Sequence, residues 1–255
     1  MSEADTLPKF LLEHARDRAN QPAYREKDLG IWQTWTWAQT EKEIRYLACG
    51  LKQLGFERGD KLAVIGDNRP CLYWAIMAAQ CLGGIPVPLY QDSVAQEMKF
   101  VLANAEVRFA VVENQEQTDK VLEILEDCPK LETLIYEDPR GMNPYQQEFL
   151  HRFAEVQQLG ERYDEQHKDF FENSIQEVSI SDTSIILYTS GTTGVPKGVV
   201  LSQDNLVQTS QISADFDQLT SDEEVLAYLP MAWVGDNLFS FAQAYVAGFC
   251  VNCPE

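Results

Sequence analysis

The chain has 255 residues, of which 45% are hydrophobic, so it is long enough to bury a sizeable core as one large domain or two smaller ones. Its 20 basic and 40 acidic residues give a formal net charge of -20, which disfavours binding to nucleic acid or to an anionic membrane surface. These values exclude a disordered tail and a basic nucleic-acid-binding domain.

The N-terminus is acidic and is not followed by a charged and then apolar export signal, so we expect the chain to be cytoplasmic. The uncharged stretch 71–90 is long enough to span a membrane, but its glycines and prolines favour a helix followed by an extended segment. Cys250 and Cys253 have the spacing of a redox or zinc half-site. Because there is no second pair, small buried residues in a strand are the favoured interpretation, and the thiols are expected to be reduced.

Helical and strand patterns alternate along the first 136 residues. The predicted elements are a helix over 8–20, a hairpin with strands 23–26 and 31–37, a helix ending at Gly55, a strand over 61–65, a helix over 70–83, an extended segment over 85–89, a helix ending near 104, a strand over 108–112, a helix over 116–127 and a strand over 134–136. Thr36 with Gln39, and Ser93 with Gln96, fit capping boxes at two helix starts. Strands that alternate with helices predict an α/β fold with parallel-rich sheets flanked by helices.

Three tryptophans, Trp32, Trp35 and Trp37, fall in the predicted hairpin. They are compatible with a ligand-stacking surface, but packing in the core or on the sheet face is favoured.

Residues 137–181 are polar and rich in turn chemistry, which predicts a surface connection with one or two helices. The elements predicted after it are strands over 185–188 and 199–201, a helix over 203–214 capped by Ser202, a strand over 225–229, a helix over 236–247 and a strand over 249–251.

A glycine- and hydroxyl-rich loop joins two of these strands, with the sequence LYTSGTTGVPKG over residues 187–198. Glycines let the backbone approach a ligand closely, successive N–H groups form an anion-binding concavity, and Lys197 adds a positive charge. The loop therefore predicts a phosphate site. It is not a Walker A loop, because Pro196 precedes the lysine and Gly198 follows it. The alternative interpretation is a plain Gly/Thr turn between two strands.

The whole loop resembles the signature of the adenylate-forming, AMP-dependent synthetases. Segments 54–61, 68–70, 83–89 and 228–233 resemble segments of that superfamily in the same order. Within it, the chain most resembles the long-chain fatty acid CoA ligases. The resemblance implies ATP-dependent conversion of a carboxylate to an acyl-adenylate, followed by transfer of the acyl group to coenzyme A, with ATP and Mg²⁺ as the other ligands.

The resemblance also implies which residues bind the nucleotide. The residues expected to hold the β- and γ-phosphates are Thr189, Ser190, Gly191, Thr192, Thr193, Gly194 and Lys197, with Lys197 and Thr192 also acting in catalysis. No metal ligand is assigned in this chain, because the resemblance places the Mg²⁺-binding glutamate in later segments.

Family members are about twice as long, so the resemblance implies the N-terminal part of the AMP-binding domain, without the C-terminal domain. We expect residues 1–60 and 200–255 to form one α/β subdomain and 61–199 a second. We expect no complete turnover from this chain alone.

Two positions depart from the family pattern. Trp233 stands where many relatives have histidine, and is expected either to gate the entry of a fatty acid or to fill the core. Gln203 stands where another histidine is common, and is expected to change a packing contact.

The expected partner is a fatty acid or another carboxylate, with peripheral membrane contact through the lipid substrate and homodimer formation as further expectations. Two alternatives stay open: an aryl or amino-acid adenylating enzyme, and a non-catalytic nucleotide-binding module.

Overall fold

A computed structural model describes residues 4–189 and 196–255 of the chain. The helices are α1 (Leu7–Asp17), α2 (Trp37–Gln53), α3 (Pro70–Cys81), α4 (Ala95–Asn104), α5 (Gln115–Glu123), α6 (Phe153–Gln166), α7 (Phe170–Gln176), α8 (Gln203–Asp217), α9 (Val234–Asp236) and α10 (Gln243–Ala247). The strands are β1 (Pro22–Asp28), β2 (Ile31–Thr36), β3 (Lys61–Ile65), β4 (Ile85–Leu89), β5 (Phe109–Val112), β6 (Thr133–Tyr136), β7 (Leu150–Arg152), β8 (Thr183–Thr189), β9 (Lys197–Ser202), β10 (Glu224–Leu226) and β11 (Cys250–Cys253).

The centre of the molecule is a five-stranded parallel sheet with the strand order β4-β3-β5-β6-β7. Along β3, Leu62 and Val64 pack into one hydrophobic core with α3, while Ala63 and Ile65 pack into a second core with α4. Both faces of the sheet are therefore covered, as a parallel sheet requires. The predicted α/β fold class is confirmed.

A second sheet has the order β10-β11-β1-β2, with β1 and β2 antiparallel and the other pairs parallel. It joins the hairpin near the N-terminus to the last strand of the chain, where Tyr24 aligns with Val251. The predicted division into two subdomains stays a prediction.

A third, two-stranded sheet is the antiparallel hairpin β8–β9. Ile185 and Leu187 of β8 are buried against the main core, and β8 lies against β4. In β9, by contrast, Val199 and Val200 are exposed. The hairpin is thus anchored by one strand and open on the other.

Two of the predicted helix caps are confirmed, and one is wrong. Thr36 accepts a hydrogen bond from the backbone N–H of Gln39 in a capping box at the start of α2, and Ser202 caps α8. The capping box predicted at Ser93 does not form, because the N-cap of α4 is Val94. Ser93 instead closes a turn by donating its backbone N–H to the carbonyl of Tyr90.

Three further details differ from the sequence prediction. Trp37 begins α2 rather than ending a strand, and it is fully buried. The polar region 137–181 contains the two helices α6 and α7 and also the short strand β7, which was not predicted. The strand predicted over 225–229 ends at Leu226.

The uncharged stretch 71–90 forms the buried helix α3 and the strand β4, as predicted. Across residues 4–189 and 196–255, no helix combines the length and the apolar character that a membrane crossing needs. Cys250 and Cys253 are free thiols in β11 and are buried, in agreement with the structural interpretation of this pair.

Candidate functional site

The hairpin β8–β9 brings the two ends of the predicted phosphate loop together. Thr189 is the last residue of β8, Lys197 is the first residue of β9, and the two are aligned across the hairpin. The side chain of Lys197 is exposed, and it joins no salt bridge within the described ranges. Its ammonium group is therefore available to an anion.

The other residues predicted to bind phosphate lie outside the described residues: Ser190, Gly191, Thr192, Thr193 and Gly194. Their roles stay predictions. The flanking strands nevertheless fix where this loop leaves and re-enters the fold.

An apolar pocket of about 530 Å³ opens beside the hairpin. It is lined by Tyr90, Leu187, Tyr188, Thr189, Val199, Leu201, Ala232, Trp233 and Val234. Its volume lies within the range of small-molecule sites, which are mostly apolar with a few polar groups. The pocket therefore suits an apolar ligand with one polar end near Thr189.

Trp233 lies in the wall of this pocket, and 52% of its surface is exposed. It therefore does not fill the core, which was one of the two roles expected from the sequence. The other expected role, a gate for a substrate, stays a prediction that its position allows.

Tyr90 is the site residue that the sequence analysis missed. It follows β4 directly and lines three neighbouring cavities, of about 530, 90 and 40 Å³. The sequence could have indicated this residue, because open α/β sheets bind ligands beyond the carboxyl ends of their strands. Tyr90 directly follows a segment that was predicted to be extended.

The carboxyl ends of β3, β5 and β6 are acidic. Arg69 forms ion pairs with Glu26 at 3.3 Å and with Glu113 at 3.4 Å. Burial, together with the neighbouring charges of Glu26 and Asp138, raises the pKa of the nearby Glu137 to about 7. Because this edge carries more acids than bases, it repels a polyphosphate, whereas the Lys197 end of the hairpin attracts one.

Gln203, at the start of α8, is buried in a chain of amide hydrogen bonds. Its side-chain oxygen accepts from the backbone N–H of Leu7 at 3.0 Å, and its Nε2 donates to Gln80 Oε1 at 3.3 Å. Gln80 in turn donates to the backbone carbonyl of Ser184 in β8 at 2.9 Å. These bonds tie β8 to α1 and α3 behind the pocket.

Comparison with known proteins gives one family and several relatives. The family described as AMP-binding enzyme matches residues 11–255. The chain is 28% identical over 239 residues to the long-chain-fatty-acid-CoA ligase ACSBG1 of Rattus norvegicus, a match that covers 92% of this chain and 32% of that protein. It is 29% identical over 246 residues to the long-chain-fatty-acid-CoA ligase FadD15 of Mycobacterium bovis, covering 95% and 39%. The chain thus spans well under half the length of these relatives.

Among solved structures, the fold is similar to that of the fatty acyl-adenylate ligase from L. pneumophila in complex with acyl adenylate and pyrophosphate. The TM-score is 0.75 at 15% sequence identity, and the match covers 99% of this chain and 40% of that one. At this identity the similarity establishes the fold.

Proposed function

Because this chain belongs to the family of AMP-binding enzymes, we propose that it activates a fatty acid carboxylate with ATP, as part of an AMP-forming fatty acid CoA ligase. The product of the first step is an acyl-adenylate with release of pyrophosphate. In the second step the acyl group passes to the thiol of coenzyme A. The names of the curated relatives, which are long-chain-fatty-acid-CoA ligases, support this substrate class.

The observation that carries the proposal is that one strand, β8, both lines the apolar pocket and leads into the predicted phosphate loop. Leu187, Tyr188 and Thr189 line the apolar pocket, and Thr189 is also the first of the predicted phosphate-binding residues. An acyl chain in the pocket would therefore place its carboxylate beside the phosphates of a nucleotide held by the loop. This proximity is what a reaction between the two groups requires.

The charges fit the first step. A carboxylate oxygen attacks the α-phosphorus, the bond from that phosphorus to the bridging oxygen breaks, and the electron pair leaves with pyrophosphate. Negative charge accumulates on the leaving group, so a cation placed on the β- and γ-phosphates lowers the barrier. Lys197 is exposed at the end of the loop and would supply that charge, and the hydroxyls of Thr189 and Thr192 would donate hydrogen bonds to the phosphates.

Mg²⁺ would neutralise further phosphate charge. The described residues contain no cluster of His, Cys, Asp or Glu that could hold a metal ion, so no residue described in this chain is assigned to it. Coenzyme A enters as a co-substrate of the second step. Membrane contact through the lipid substrate and homodimer formation stay predictions.

A second candidate substrate is an aromatic acid. The rings of Tyr90, Tyr188 and Trp233 all line the pocket, and aromatic side chains pack favourably against an aryl group. The same loop chemistry would then activate an aryl carboxylate.

The test is carboxylate-dependent exchange of pyrophosphate into ATP, run with the product of the whole gene and with palmitate and benzoate in turn. We expect exchange with palmitate. Faster exchange with benzoate would favour the aryl candidate, whereas no exchange with either acid, in a folded protein that still binds ATP, would support a non-catalytic nucleotide-binding module.

Lys197→Ala, compared with Lys168→Ala, tests the loop directly. Both substitutions remove one exposed lysine, but Lys168 lies between α6 and α7, away from the hairpin. Losing a charged contact to phosphate should weaken MgATP binding about tenfold or more in Lys197→Ala only, as measured by equilibrium dialysis. Equal affinities in the two variants would remove Lys197 from the phosphate site.

A further inference from the structure

One wall of the apolar pocket is an irregular segment, residues 229–233, which we call the wall segment. Ala232 and Trp233 line the pocket of about 530 Å³, while Pro230 and Met231 line the neighbouring cavity of about 90 Å³. The segment lies between β10 and α9 and belongs to neither a helix nor a strand. No ladder of backbone hydrogen bonds therefore fixes its conformation.

One backbone hydrogen bond, from the N–H of Trp233 to the carbonyl of Pro230 at 2.8 Å, closes a turn within the segment, and side-chain amides hold its alternate carbonyls. Asn68 Nδ2 donates to the carbonyl oxygen of Leu229 at 3.0 Å. Asn237 Nδ2 donates to the carbonyl oxygens of Met231 at 2.7 Å and Trp233 at 2.8 Å. Each alternate carbonyl thus has a defined partner, which sets the register of the segment as a strand partner would.

A buried carboxylate orients the first of these amides. Asp236 Oδ1 lies 3.0 Å from Asn68 Nδ2, and the hydroxyl of Tyr73 donates to the Asp236 carboxylate at 2.9 Å. The Tyr73 hydroxyl is also 2.7 Å from Asn68 Nδ2. Asp236 precedes Asn237 in the chain, so a single short stretch supports both amides.

Packing alone does not explain why position 236 is an aspartate. Asp236 is only 1% exposed, and no lysine or arginine in the described parts of the chain forms an ion pair with it. Burial raises its pKa to about 6. A buried carboxylate without a cation is costly, so the hydrogen bonds that it accepts are what offset its burial.

We propose that Asn68, Tyr73, Asp236 and Asn237 are positioning residues, which fix the register of the wall segment and thereby hold Trp233 at the mouth of the pocket. Their effect on substrate selection rests on the proposed function, in which this pocket receives the acyl chain. A shift of one residue in the wall segment would place the large Trp233 where the small Ala232 lies, or Ala232 where Trp233 lies. The four residues would therefore control the shape of the pocket without contacting the ligand.

The test compares two substitutions at the same position. Asp236→Asn keeps a hydrogen-bonding side chain of the same shape, whereas Asp236→Leu removes every polar atom from it. Tyr73→Phe removes a single hydroxyl group and serves as a milder disruption that keeps the buried ring. Asn114→Ala, which removes the cap of α5 far from the pocket, controls for a general loss of stability.

The first readout is the fluorescence of Trp233, obtained for each variant as the difference from the same variant with Trp233→Phe. We expect the emission maximum and the acrylamide quenching of Trp233 to change in Asp236→Leu and Tyr73→Phe, and to match the parent in Asp236→Asn and Asn114→Ala. Folding in each variant is verified by urea titration. Unchanged Trp233 fluorescence in folded Asp236→Leu and Tyr73→Phe would overturn the positioning role.

The second readout is binding of cis-parinaric acid, a fluorescent fatty acid. Loss of the hydrogen bonds that Asp236 accepts from Asn68 and Tyr73 should weaken its affinity about tenfold or more in Asp236→Leu, but not in Asp236→Asn. If the parent chain binds no cis-parinaric acid, the proposed acyl site is wrong, and the fluorescence of Trp233 still decides whether the four residues position the wall segment. Equal affinity in the parent and in Asp236→Leu would exclude a role in substrate selection.

Discussion

The five-stranded sheet and the hairpin β8–β9 are built from similar apolar sequences but are used in opposite ways. In the sheet, Val64 and Val111 are fully buried, because helices cover both faces. In the hairpin, Val199 and Val200 are 42% and 58% exposed, although β8 beside them packs into the core. The covered region thus provides a rigid frame, and the open region leaves surface at which a ligand can bind.

The largest loss of stability is expected at the contact between the helices α2 and α6, which pack closely against each other. A Cβ atom at Gly160 would lie 1.7 Å from the carbonyl oxygen of Tyr46, which is backbone and cannot move aside. Gly160→Ala should therefore lower the free energy of unfolding by more than about 3 kcal/mol, even though alanine favours a helix by about 1 kcal/mol.

The matched control for this substitution is Gln158→Ala, at an exposed position of the same helix. Its effect should stay within about 0.5 kcal/mol in urea titrations. A loss below about 1 kcal/mol in Gly160→Ala would mean that the two helices can separate at little cost, and that the frame is less rigid than its packing indicates.

The next largest effect is a pH dependence of the stability, caused by Asp236 beside the pocket. This carboxylate is buried, and no ion pair with it occurs among the described residues. Its pKa is raised from 3.8 to about 6, so the folded protein binds the proton more tightly than the unfolded chain does. At low pH, where the carboxyl group is protonated in both states, its ionisation therefore does not lower the free energy of unfolding. It lowers stability progressively as the pH rises to about 6 and above, by about 3 kcal/mol in total.

Asp236→Asn removes this titration. The free energy of unfolding of the variant, minus that of the parent, should increase between pH 4 and pH 7 by more than about 2 kcal/mol. Asp217→Asn, at an exposed position at the end of α8, should show no such increase. A difference for Asp236→Asn that does not vary with pH would show that the carboxylate is ionised at no cost in the folded protein.

The smallest expected effect is the loss of stability from a Val→Ala substitution, which we compare between the five-stranded sheet and the hairpin β8–β9. Val111→Ala removes two buried methyl groups from β5 and should cost about 2 kcal/mol, including the cavity left behind. Val200→Ala, in the open strand β9, should cost less than about 0.5 kcal/mol. Both values come from urea unfolding. Similar costs at the two positions would mean that another surface covers β9 in solution.

Much of this fold follows from local sequence patterns. The helix starts at Thr36 and Ser202 were predictable, since a cap needs only residues three positions apart. The start predicted at Ser93 was wrong, because the backbone turn from Tyr90 delays the helix, and nothing in the local pattern distinguishes the two cases.

The sequence by itself determined the α/β class, through its alternating strand and helix patterns. It also predicted a phosphate loop, from the residue types between Thr189 and Lys197. Only the tertiary structure placed Trp233 beside β8 and brought Asn68 to the carbonyl of Leu229, 161 positions along the chain. The physical reason is that local patterns select elements from neighbouring residues, whereas a pocket forms between side chains that meet only after the elements have packed.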